Sequence, residues 1–136
     1  MPRLICSLLV GSALGMSGAL LQGMLMNGLA SPYLLGISAG SGLVIVFFIS
    51  FGLLQSFIPF AAWMGAILTT LIVFILSKDG NKIVVERLVL GGVAISSLFG
   101  AIQATLLLQV EDGRIQAALN WLIGSLNSRG WQEINF

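Results

Sequence analysis

Histidine is absent from this sequence, cysteine occurs once, and only eleven of the 136 residues carry a charge. Without histidine, a serine triad of the usual kind cannot be assembled. One cysteine, no histidine and no carboxylate cluster leave no donor set for a metal. Cys6 cannot form an intrachain disulfide, and it lies in an apolar run where a thiol behaves as a small hydrophobe. No catalytic, cofactor-binding or metal-binding residue is expected, and no enzyme activity in the chain itself. The charged fraction of 8% is far below the roughly 25% of soluble domains, too little to make a polar shell. Six basic and five acidic residues give +1, which is no footprint for nucleic acid.

What is present is apolar. Hydrophobic residues make up 57% of the chain, and the mean hydropathy is +1.04. Lipid is the solvent that suits such a composition. Four stretches are long and apolar enough to cross it: residues 4–25, 35–54, 60–76 and 88–110. Every charge lies outside them. The first resembles a signal peptide behind Arg3, but its apolar run extends to Leu25, too long for an h-region. A short amphipathic helix follows at 115–123, ended by Gly124. The fold class expected is therefore all-α, a polytopic transmembrane helix bundle with about four membrane helices plus that short helix.

Lys78, Lys82 and Arg87 share one short connection, so the positive-inside rule puts residues 77–87 in the cytoplasm. Counting back three spans puts residue 1 outside, as if a helix preceded it. Small residues recur every four positions in the first span (Ser7, Gly11, Gly15, Ala19, Gly23) and in the fourth (Gly92, Ser96, Gly100, Ala104). Such stripes let helices approach closely in lipid. Gln22 and Gln103 are the amides well inside the spans, and each is expected to bond a neighbouring helix. No buried carboxylate offers ion coupling. Gly36-Ile37-Ser38-Ala39-Gly40 matches a nucleophile elbow by letter only, for want of a histidine.

Four ordered blocks add a resemblance. They are Gly18-Ala19-Leu20-Leu21-Gln22-Gly23; the run from Asn27-Gly28-Leu29-Ala30-Ser31-Pro32 to Gly40-Ser41-Gly42; Arg87-Leu88-Val89-Leu90-Gly91-Gly92; and Trp121-Leu122-Ile123-Gly124-Ser125-Leu126. Together they resemble the FecCD-type permeases of importers for ferric siderophores, haem and cobalamin. The resemblance covers nearly the whole chain but only part of the family's length, about the second to the fifth of some ten helices. It implies a bacterial plasma (inner) membrane location and a second permease subunit, homo- or heterodimeric. It also implies cytoplasmic ATPase subunits and an extracytoplasmic substrate-binding protein, with membrane lipid around the bundle and no nucleic acid. By the same resemblance Asn27 and Leu29 match a cytoplasmic gate, and Val85 a second constriction. Asn27 also reads as a helix C-cap and Leu29 as plain packing, and both alternatives stay open. Gly28 departs from the family's proline, which loosens the turn. Two other readings stand beside this one: a small stand-alone four-helix multidrug carrier or holin-like protein, and a truncated remnant.

Overall fold

The computed structural model describes residues 2–28, 30–53, 55–80, 82–110 and 112–125. Five α-helices make up most of it: α1 (Pro2–Leu25), α2 (Ile37–Ser50), α3 (Ile58–Leu76), α4 (Val85–Leu108) and α5 (Asp112–Ile123). Among the described residues, α1, α3 and α4 are long and apolar enough to cross a bilayer. At 24, 19 and 24 residues they span about 28–36 Å, close to the ~30 Å hydrocarbon core. Pro59 sits in the first turn of α3, where its missing N–H costs no bond.

Helix α2 is shorter than the apolar run 35–54 suggested. Its 14 residues reach only about 21 Å. Gly36, in the left-handed conformation at φ 76, turns the chain into the helix, and Gly52 at φ 63 turns it out. A side chain at Gly36 would also crowd Ser96 and Thr69, with its Cβ 3.3 Å from each. The rest of that crossing is non-helical at residues 26–28 and 30–36, bonded as turns: Ala30 N–H to Asn27 O, Leu34 N–H to Ser31 O, and Gly36 N–H to Tyr33 O. Leu34 and Leu35 lie against Gly92 inside α4, so this segment rises between the helices rather than lying over them.

Packing centres on α2. Gly40 and Gly65 bring α2 and α3 into backbone contact, since a Cβ on either would come within 2.8 Å of the other's carbonyl oxygen. Thr69, 2% exposed, turns its hydroxyl back to Gly65 O at 2.8 Å and fills the crossing. Gln103 Nε2 donates to Ala39 O at 2.9 Å and ties α4 to α2. The G-x-S-x-G letters resolve as helix packing: two glycines at contacts and an exposed Ser38. One apolar cluster gathers Ile45, Val46, Ile49, Ile58 and Ala118; a second gathers Leu35, Val73 and Leu88.

Two expectations are corrected. The stripe on α1 does not pack against these helices: a Cβ added at Gly11, Gly15 or Gly23 meets nothing within 4 Å, and α1 has no buried residue. Its spacing permits close approach but supplies no neighbour. In α4 the stripe is used at Gly92 and Ser96 and left open at Gly100. The charged loop 77–87 is also more ordered than a loop. Strands β1 (Lys78–Asp79) and β2 (Lys82–Ile83) pair antiparallel around Gly80 at φ 60, and α4 already begins at Val85.

Candidate gate region

Helix α1 ends in a two-bond cap. Asn27 N–H reaches Gln22 O at 3.1 Å and Met26 N–H reaches Gly23 O at 3.4 Å, which is the Schellman pattern. The left-handed residue in that pattern is Met26, at φ 48, where glycine is usual. Asn27 is therefore the residue after the left-handed position, half-buried, with its own carbonyl accepting from Ala30 at 3.1 Å. Gly28 takes the second place of that four-residue turn. Leu29 lies outside the described residues.

Val85 is the first residue of α4 and is half-buried. With Ile83 and Leu88 it faces Leu21, Met24 and Leu25 of the last turns of α1 across a cleft of about 330 Å³, closed behind by Leu35, Thr70 and Phe74. Asn27 follows directly on that wall of α1 without lining the cleft. The fold thus brings Val85 to the end of α1 and keeps Asn27 in the turn beyond it.

The hairpin that precedes Val85 is anchored on three sides. Val84 N–H donates to Ser77 O at 3.2 Å, and the fully buried Ser77 hydroxyl donates to Phe74 O at 2.8 Å. Arg87 pairs with Asp79 at 3.4 Å across the hairpin. Both partners are more than half exposed, so the pair contributes no more than about 1 kcal/mol. The Lys78 ammonium stands 5.3 Å over the Phe74 ring. Basic side chains here sit where apolar helix gives way to water, as snorkelling residues do.

At the opposite end lies Arg114, a residue that no motif in the sequence marks. Its Nη1 donates to Ser50 O at 3.0 Å and caps the last turn of α2 from α5. An isolated arginine just past a turn carried no signal for that partner 64 residues away. Among the described residues no group of three or more Cys, Asp or Glu side chains is gathered for a metal. The region combines the apolar walls of the cleft with turn backbone.

The chain has known relatives. A family model described as the FecCD transport family matches residues 1–136. The achromobactin transport system permease protein CbrC of Dickeya dadantii is 38% identical over 136 residues, covering 98% of this chain and 39% of that protein. The iron(3+)-hydroxamate import system permease protein FhuG of Bacillus subtilis is 35% identical over 144 residues, covering 98% of this chain and 42% of that protein. A solved structure described as an inward-facing conformation of a metal-chelate type ABC transporter superposes with TM-score 0.84 at 27% identity, over 96% of this chain and 42% of that one. The chain spans about two fifths of the length of the relatives it matches.

Proposed function

The chain belongs to the FecCD transport family, and from that premise we propose that it is a membrane-spanning permease segment of a binding-protein-dependent ABC importer. The observation that carries this is the match along the entire chain, residues 1–136, to a family of transport proteins. It is a multi-pass protein of the plasma (inner) membrane. Its cargo in this reading is a ferric siderophore, haem or cobalamin, and the relatives named for achromobactin and iron(3+)-hydroxamate import favour the first.

Residues 1–136 act as part of a permease domain, paired with a second permease subunit. ATP is hydrolysed on separate cytoplasmic ATPase subunits, and an extracytoplasmic binding protein delivers the cargo. Residues 77–87 face the cytoplasm, because Lys78, Lys82 and Arg87 gather there. The end of α1, the turn after it and the start of α4 then lie on the cytoplasmic side. Asn27 and Leu29 form the inner gate and Val85 a second constriction beside it. What supports this is the apolar cleft shared by Val85 and the last turns of α1. Turn backbone there needs protein or water around it, since lipid offers no hydrogen bonds.

A transplant tests the reading. The matching stretch of FhuG is replaced by residues 1–136 in cells lacking their own copy, and uptake of radiolabelled ferric hydroxamate is followed. Energy-dependent uptake by the chimera is expected. A chimera that reaches the membrane, assembles with its partners and still takes up none of the family's chelates would overturn the proposal.

A further inference from the structure

Three helix ends enclose the cleft of about 330 Å³ beside Val85. Its lip is apolar and exposed: Met24 of α1 is 81% exposed, Phe74 of α3 37% and Ile83 of β2 46%. Its floor is closed by Leu35 and Leu88, both buried. Thr70 carries the one hydroxyl on its wall, and that hydroxyl already donates to Ala66 O at 2.8 Å. No side chain of the lining therefore calls for water or for an oxygen-rich cargo, and apolar cavities hold no ordered water. Thr70 lies six residues before Leu76, the end of α3, so the cleft reaches about 9 Å back along the helices. That depth stays within one leaflet of a hydrocarbon core about 30 Å thick.

One positive charge stands at this lip. Lys78 and Ile83 are directly opposed in the β1–β2 pair, and side chains so paired project to the same side of a hairpin. Ile83 lines the cleft, and the Lys78 ammonium stands 5.3 Å over the ring of Phe74, which lines it too. Two contacts from different elements thus hold that cation at the mouth. Lys82, opposed to Asp79, projects to the other side of the hairpin. Among the described residues no carboxylate compensates Lys78: Asp79 is taken by Arg87, and Glu86 points about 130° round α4 from the mean direction of Val85 and Leu88. An apolar slot that ends in a held cation is complementary to an amphiphile with an anionic head. A further helix would not enter it, since one turn of a 10 Å cylinder occupies about 420 Å³, more than the cleft holds.

We propose that this cleft takes one acyl chain of an anionic phospholipid, whose phosphate sits on the Lys78 ammonium. In the orientation given above the hairpin faces the cytoplasm, and anionic headgroups of the cytoplasmic leaflet gather at basic residues beside helix ends. The choice of leaflet rests on that orientation; the binding rests neither on it nor on transport. Val85 lines the same cleft, so the bound chain touches a residue of the proposed gate.

Native mass spectrometry of the 136-residue chain tests this, in micelles that hold phosphatidylglycerol and phosphatidylcholine of the same chain length. A preference of about fivefold for phosphatidylglycerol as the first lipid retained is expected, the size of one lysine beside an anionic headgroup. Lys78→Gln should remove the preference. Lys82→Gln, the same charge lost from the other side of the hairpin, should keep it. Thr70→Phe, which fills the cleft and leaves Lys78 in place, should lose it as well. Equal retention of the two lipids by the parent would overturn the site. Equal losses in the two lysine variants would also overturn it, leaving only diffuse attraction. A preference undiminished in Thr70→Phe would overturn the acyl chain's place in the cleft. The measurement is repeated on the FhuG chimera, which supplies the remaining helices of a full-length relative. A chimera that inserts correctly and shows no preference would mean that another segment covers the cleft, and the proposal would fall. Uptake enters none of these readings, so a failed permease reading leaves the lipid site standing, and a failed lipid site leaves the permease reading untouched.

Discussion

Met26 holds a left-handed backbone that glycine would hold without strain, while Gly28, two residues on, is not left-handed at all. Ala30 N–H closes a turn on Asn27 O in which Gly28 takes the second place, where proline is favoured. A Cβ at Gly28 meets nothing within 4 Å. Gly28→Pro, the residue usual in the family pattern, should therefore raise stability by about 0.4–1 kcal/mol through the unfolded chain's lost freedom. Thermal unfolding in detergent checks it, and a lower midpoint would mean that the Gly28 N–H or a different φ is needed here. The turn at Asn27-Gly28 was legible in the sequence because both residues favour turns. Which residue turns left-handed was not, since the cap depends on where the helical bonds of α1 run out rather than on side-chain preference.

Glycines divide the helices into those that use close approach and those that only allow it. Gly40 sits against Gly65 O and Thr69, so even one methyl has no room there. Gly40→Ala should cost about 1–3 kcal/mol by overpacking. Gly15→Ala should stay within about 0.5 kcal/mol of the parent, because α1 brings nothing to that face. Equal effects in the same unfolding assay would contradict the packing described for α2 and α3. Gln103 offers a second test of how α4 is held. Replacing it with leucine removes its bond to Ala39 O and should cost about 0.6 kcal/mol, and at most about 1.7, as for other interhelical bonds in membranes. The long helices α1, α3 and α4 were legible because an uncharged apolar run of that length has few alternatives in lipid. The true length of α2 was not, because Gly36 and Gly52 end it by backbone conformation inside an unbroken apolar run. Nor was the inward course of α5, which is fixed by Arg114 and Leu122 meeting α2 at two distant points.

At the scale of the whole molecule, two short pieces run back along the bundle from opposite ends. The Met26–Gly36 segment rises from the end of α1, and α5 descends from the end of α4. In lipid, the turn backbone of the first is tolerated where protein or a water-filled cavity surrounds it. Of the proposed gate, Asn27 and Leu29 belong to the first piece and Val85 to the start of α4. Its residue types were visible in the sequence through the resemblance at Asn27-Gly28-Leu29. The juxtaposition of Val85 with the last turns of α1 needed the fold, because the β1–β2 hairpin makes it. The central claim is that these residues close an importer's inner exit and work only inside the assembled transporter. It is tested most directly in proteoliposomes, with the chain rebuilt into a full-length subunit together with ATPase and binding protein. Uptake of ferric chelate, haem or cobalamin is measured with and without ATP, for the parent and for Leu29→Ala. The account predicts uptake that requires ATP in the parent, a leak without ATP in Leu29→Ala as the constriction widens, and no transport by the isolated 136-residue chain. Robust transport by the isolated chain would contradict it.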